Sequence, residues 1–294
     1  MIEEEELILS SLHHDVRFPV DISWKGGGEP RPVVIFSHGF KGFKDWGPFP
    51  FLARHFAAKG YVFARFNFSH NGTTVEHPQE LVDLEAFAQN NFTIELDDLG
   101  VVIDSLIEAK DSEFHSVCDF NRIFLLGHSR GGSLSILKAC EDKRVKAVAT
   151  WAAVSDYESR WEPQDLEVWK SRGTVYFLNR ETQQKLPVSY QIVEDYYDNR
   201  ERLDVEVAIE RMSAPLLLAH AKDDPSVPVG MAYSIKEAYE PAELLIHESG
   251  GHYFGGYHPF RGSNFPVPMG DVVRETMSFF EKEAAKLDKV EERA

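Results

Sequence analysis

One pentapeptide limits what this chain can fold into more than any other feature. Gly127-His128-Ser129-Arg130-Gly131 stands between an apolar run, Arg122 to Leu126, and a helix-compatible run, Ser133 to Cys140. A strand feeds the turn and a helix leaves it. In that setting a G-x-S-x-G pattern holds a serine on a sharp strand-to-helix turn, its hydroxyl pushed out above the sheet. So tight a turn strains the serine backbone and brings strand and helix into contact, and side chains at positions 127 and 131 would collide there. Ser129 would also sit at a helix N-terminus, where free N–H groups and the positive end of the dipole suit a developing oxyanion.

The flanking chain repeats the same alternation. Pro32 to Ser37 is a continuous apolar run, the mark of a strand buried on both faces, and it ends in the loop His38-Gly39-Phe40-Lys41-Gly42. A helix is expected from about Pro48 to Lys59, then a strand over Tyr61 to Phe68. The polar stretch Ser69 to Asn91 is too long for a simple connection, and Asn91 or Thr93 can cap a helix running to about Ala109. Upstream, Val16 to Trp24 alternates and reads as an antiparallel edge strand. After a strand at Val145 to Trp151 the pattern breaks. Residues 155–212 are charged and rich in Trp and Tyr, and read as an inserted cap of short helices with a hairpin near residues 173–178. Strand and helix resume at Pro215 to Ala219 and at Ala242 to His247, before a last amphipathic helix. The expected layout is a mostly parallel sheet with helices on both faces, built from residues 1–154 and 213–294, with 155–212 as the cap.

Charge narrows the partners. With a formal net charge of -17 the chain lacks the clustered Lys and Arg that displace counterions from polyphosphate, so no nucleic-acid partner is expected. The first residues, Met1 to Leu7, are acidic where a secretory leader is basic, and no apolar run has the length of a bilayer span. The expectation is a soluble, cytoplasmic protein with no membrane partner, its oligomeric state undetermined. Cys118 and Cys140 make neither a disulfide framework nor a metal quartet. His13, His14 and Asp15, and the histidines His247, His252 and His258, lie on different elements and supply no three convergent ligands, so no metal is expected.

A serine hydroxyl is a poor nucleophile near neutral pH and needs a base within reach and a carboxylate to fix that base's tautomer. Two later strand ends offer them: His220 to Pro228, which contains Asp224, and Glu248 to Phe254, which contains His252. Strand ends are where a parallel sheet gathers its ligands. Each residue also has an ordinary reading, Asp224 as a helix cap and His252 as a packed or surface side chain. Asp156 is a second possible acid.

The order Ser129, Asp224, His252 resembles the α/β-hydrolase superfamily, over essentially the whole chain. It is most similar to the branch of dienelactone hydrolases, cinnamoyl and feruloyl esterases and prolyl-oligopeptidase-like enzymes. Members carry an acid loop of the form H-G-x-x-D-x-x-V-P; aligned on His220, Val227 and Pro228 it selects Asp224 over Asp223, with Ala221 in place of the usual glycine. The family histidine follows small residues and precedes an aromatic, as in Gly250-Gly251-His252-Tyr253-Phe254, which favours His252 over His247. The His-Gly oxyanion loop matches His38-Gly39, while Ser69-His70-Asn71-Gly72-Thr73 departs from the family's glycine-rich stretch.

The resemblance implies the α/β-hydrolase fold, with a central sheet of about eight strands and an inserted cap. It implies a serine hydrolase, a carboxylesterase first, with Ser129, His252 and Asp224 as its triad and the Phe40 and Arg130 N–H groups as oxyanion donors. The substrate is expected to be a small-molecule ester of a small or aromatic acyl group, with no cofactor. A peptidase or amidase, or a non-catalytic binding protein on the same fold, stays open. His38, His128, Trp161, Tyr190 and Tyr253 are candidate substrate contacts, although the cap aromatics could equally serve only to pack the insertion. Lys41, Lys44, Asp45 and Arg160 read as solvated charge, with contact to a substrate carboxylate as the alternative.

Overall fold

Val33 to Phe36 and Ile123 to Leu126 are buried at every position, so neighbouring residues must point into two different cores. Val34, Phe36, Phe124 and Leu126 pack with Leu52, Phe56, Val272 and Phe280 in one apolar cluster, while Val33, Ile35 and Leu125 join Leu99, Ile103 and Leu134 in the other. A sheet covered on both faces is the result. The computed structural model describes residues 1–179 and 182–291. The expected ranges 155–212 and 213–294 include residues 180, 181 and 292–294, which lie outside the described residues.

The strands are β1 Ile2–Ser10, β2 Arg17–Lys25, β3 Arg31–Ser37, β4 Val62–Phe66, β5 Cys118–His128, β6 Val145–Trp151, β7 Thr174–Leu178, β8 Lys185–Ser189, β9 Leu216–Ala221 and β10 Glu243–His247. The helices are α1 Phe49–Ala58, α2 Leu84–Gln89, α3 Phe92–Glu108, α4 Arg130–Glu141, α5 Pro163–Arg172, α6 Gln191–Asp198, α7 Arg200–Leu203, α8 Val205–Ile209, α9 Gly230–Ala238 and α10 Val267–Glu291. Eight strands form the main sheet in the order β1-β2-β4-β3-β5-β6-β9-β10. Only β2 runs against the rest. Strands β3, β5, β6, β9 and β10 therefore all finish at one rim, and the loops leaving them meet there.

One local expectation changes. The outermost strand is β1, with Glu3-Glu4-Glu5-Glu6 along it, and the alternating Val16 to Trp24 segment lies one place inside as β2. A run of four glutamates carries little strand propensity, and pairing with β2 along its whole length is what extends it. Between β6 and β9 the chain leaves the main sheet and forms α5 to α8 with the separate antiparallel pair β7–β8. Among the described residues, no helix is long and apolar enough to cross a membrane.

Candidate active site

Ser129 joins β5 to α4 with φ 56° and ψ -123°, a backbone conformation that L-residues rarely hold. It is fixed from both sides: Ser129 N–H donates to Trp151 O at 2.8 Å, and Ser129 O accepts from Gly132 N–H at 2.9 Å. The two glycines are sterically required. A methyl on Gly127 would lie 2.2 Å from Gly131 O, and one on Gly131 would lie 2.2 Å from Ser37 O. The end of β3 thus passes directly over the elbow, and it brings the His38-Gly39 turn against Ser129, with the Gly39 Cβ position 2.8 Å from Ser129 Cβ. Among the described residues, neither Phe40 N–H nor Arg130 N–H donates to a protein acceptor.

The loops after β9 and β10 meet beside this turn. His252 Nδ1 donates to Asp224 Oδ2 at 2.8 Å. Asp224 Oδ1 accepts from Ser226 N–H at 2.7 Å and from Val227 N–H at 2.9 Å. Burial works to raise the Asp224 carboxyl, but the hydrogen bonds from His220, His252 and Val227 outweigh it and hold the group well below the usual carboxylate range. An ionised acceptor at Nδ1 fixes the tautomer that leaves Nε2 able to take a proton. Ser129 and His252 line one cavity of about 460 Å³ together with Phe40 and Arg130. No direct hydrogen bond joins the Ser129 and His252 side chains; the ring's polar partner is Asp224.

The other acids and histidines are engaged elsewhere. Asp223 Oδ1 accepts from Gly251 N–H at 2.8 Å, steadying the loop that carries His252. Asp156 accepts from Ser159 N–H in a separate surface cavity. His247 packs edge-on against Phe254. His220 Nε2 donates to Val227 O at 2.9 Å and so shapes the acid loop.

No protein-family model matches the chain. The uncharacterized peptidase YtmA of Bacillus subtilis (strain 168) is 29% identical over 143 residues, which is 46% of this chain and 49% of that protein. The match thus spans about half the length of that curated relative. Among solved structures, Est1E from Butyrivibrio proteoclasticus with ferulic acid bound superposes with a TM-score of 0.70 at 15% identity, covering 93% of this chain and 99% of that one. The alpha/beta hydrolase GrgF from Penicillium sp. sh18 gives 0.70 at 16% identity, covering 96% and 99%. This chain has the α/β-hydrolase fold. The Pyrococcus horikoshii acylaminoacyl peptidase shares the α/β-hydrolase fold over 95% of this chain but only 41% of its own, with a TM-score of 0.65 at 17% identity.

Within the α/β-hydrolase fold the expected side-chain contacts divide. Trp161 and Tyr253 line the cavity, whereas His38, His128 and Tyr190 do not. His38 is 2% exposed; its Nδ1 donates to Gly39 O, and its Nε2 accepts from Phe68 N–H and Asn71 Nδ2, so it braces the turn that follows β3. Tyr190 packs edge-on against Trp169. Lys44 is buried in an ion cluster, 2.6 Å from Asp21 and 2.7 Å from Asp45, with Arg65 bridging the same two acids, so the reading of Lys44 and Asp45 as solvated charge gives way to a structural one. Phe92 and Tyr157, stacked at 4.0 Å, line the cavity without a signal in the sequence, since an aromatic at a helix start or beyond a strand reads as core.

His128, which also lies outside the cavity lining, carries a prediction. Its Nε2 donates to His252 O at 2.8 Å, and its ring stacks on Tyr253, which stacks in turn on Trp46. Burial, reinforced by the neighbouring His252, pushes the His128 imidazole down to about 3. In the unfolded chain it titrates at about 6.5, so below that pH the unfolded state takes a proton that the native state refuses. Stability is therefore lost as pH falls from neutrality toward that low value. A His128→Gln protein, less stable at pH 7 through lost stacking, is expected to show a shallower acid slope by about one proton in urea midpoints compared across pH 7 to 5. Equal slopes would remove His128 as the source.

Proposed function

We propose that the chain is a serine hydrolase that cleaves carboxylic esters of a small or aromatic acyl group. The reading rests on one arrangement: Asp224 bound to His252 at 2.8 Å, with His252 lining the same cavity as a serine held at φ 56°. In this scheme Ser129 Oγ attacks the acyl carbonyl and gives its proton to His252 Nε2, while the Phe40 and Arg130 N–H groups hold the oxyanion. His252 returns the proton to the leaving alcohol. Water, deprotonated by the same ring, then cleaves the acyl-enzyme, and Asp224 stabilises the imidazolium in both halves. The scheme draws on no metal or organic cofactor, and its partner is a small-molecule ester met in the cytoplasm, with no nucleic acid and no membrane.

The aromatic lining of the cavity favours an aromatic acyl group, in keeping with the ferulic acid named for the Butyrivibrio structure. A second reading, a peptidase or amidase, is favoured by the Bacillus relative and the Pyrococcus structure. Turnover of aminoacyl anilides against p-nitrophenyl and feruloyl esters separates the two. A fluorophosphonate probe separates either from a non-catalytic binder. It should label the native protein and not the Ser129→Ala protein; a native protein left unlabelled would sink the proposal.

Asp224→Asn tests the acid. Its Oδ1 can still accept from Ser226 and Val227, but an amide N–H₂ would then face the His252 Nδ1 proton, so the imidazole must adopt the wrong tautomer or turn away. The expected loss in kcat is about 10²- to 10⁴-fold. Activity within a few-fold of the parent would exclude Asp224 from the scheme.

A further inference from the structure

Among the described residues, the side chains lining the cavity beside Ser129 carry a charge opposite to that of the protein. The chain holds 48 Asp and Glu against 31 Lys and Arg, yet among the described residues the cavity is lined by Lys41, Arg130 and Arg160 and by no acid. The neighbouring surface cavity, by contrast, is lined by Asp156, Glu158, Asp204 and Glu206 around one Arg200. A field of that shape repels an anion from the surroundings and draws it to this one opening.

Each of the three cations is held in place. The Arg130 guanidinium lies 4.2 Å from the Phe40 ring centroid and 5.0 Å from that of Phe92, and buried Glu95 orients it at 3.3 Å. The Lys41 ammonium lies 5.9 Å from the centroid of the same Phe40 ring, so one aromatic ring contacts two cations. Lys41 also holds φ 63°, a left-handed conformation that glycine would adopt without steric cost. Arg160 donates from Nη2 to Ser226 O at 2.8 Å, tying it to the acid loop, and among the described residues it has no carboxylate partner.

We infer that the substrate is an anionic ester, with a carboxylate at the far end of a flat aromatic acyl group, drawn in by Lys41, Arg130 and Arg160. This rests on the ester-hydrolase reading for its chemistry but not for its binding. Arg130, paired with Glu95, and Lys41 line the cavity and contribute to its field; Arg160 supplies the charge that meets the carboxylate.

The test compares monomethyl terephthalate with methyl 4-carbamoylbenzoate, matched in shape and different in charge. The amide withdraws electrons more strongly than a carboxylate, so intrinsic reactivity favours the neutral ester and cannot imitate the expected result. The native protein should show kcat/KM at least about tenfold higher for the anionic ester, falling with added salt. Arg160→Gln and Lys41→Gly should each lower that ratio, and Lys41→Gly should do so while relieving backbone strain. Calorimetric titration of both esters into the Ser129→Ala protein reads binding apart from turnover. Equal preference in turnover and in binding, or preference for the amide, overturns the anion site and leaves the esterase reading standing. No hydrolysis of either ester, with the anionic one still bound more tightly and Arg160→Gln abolishing the difference, upholds the anion site and overturns the esterase reading. Failure of the Ser129→Ala protein to bind the anionic ester overturns the anion site.

Discussion

Turnover of a p-nitrophenyl ester by the Ser129→Ala protein should fall by about 10⁴- to 10⁶-fold while the thermal midpoint stays close to that of the parent. Both halves of that statement come from the elbow. The Oγ is the attacking atom in the proposed scheme, and what remains without it is the binding and oxyanion contribution of Phe40 and Arg130. The fold loses little, because the elbow is held through backbone bonds from Ser129 N–H to Trp151 O and from Gly132 N–H to Ser129 O, none of which uses the hydroxyl. Alanine also keeps the strain that φ 56° imposes, whereas Ser129→Gly relieves it. The glycine protein should therefore be as inactive as the alanine protein and more stable than it by about 1 kcal/mol. Ester turnover in the Ser129→Ala protein at near-parental rates would place the nucleophile elsewhere.

The second large effect is on stability. Gly131→Ala puts a methyl 2.2 Å from Ser37 O and 2.5 Å from His38 O. Both are main-chain atoms at the end of β3, an interior strand paired to β4 and β5, so no flexible side chain can swing aside. Either β3 or the start of α4 must shift. A forced backbone movement in a packed core costs about 3 kcal/mol or more, a drop of at least about 6 °C in thermal midpoint for a chain of this size. Because His38 and Gly39 lead into Phe40, the shift also moves the residue that serves as an oxyanion donor in the proposed scheme, so kcat should fall alongside stability. A Gly131→Ala protein with parental stability and rate would mean that the elbow is looser than its contacts indicate.

Features set by local sterics were legible in the chain. The elbow needed only two glycines and a serine at fixed spacing, and Asn91 capped α3 through Ile94 N–H because a short polar side chain before an apolar run does so. Which carboxylate partners His252 was not legible from the residues alone. Asp156, Asp223 and Asp224 all follow strand ends, and what distinguishes Asp224 is a contact with His252 that is 28 residues away in sequence. Adjacency to a motif does not tell where a ring bonds. His38 and His128 stand beside Gly39 and Ser129, yet their ring nitrogens bond to main-chain partners that only the folded chain supplies. Lys44 misled for the opposite reason, since a lysine beside an aspartate in a loop gives no sign of the two strands, β2 and β4, that bring Asp21 and Arg65 to it.

The outer border of the sheet has its own meaning. Glu3 to Glu6 lie along β1, whose far side is unpaired within the sheet. Any second molecule extending the sheet there, edge to edge with its own β1, would align two rows of carboxylates across a gap of about 5 Å. The repulsion makes that border a poor template for pairing with a second copy, so a chain with a long open strand at its rim carries its own safeguard against joining sheets through it.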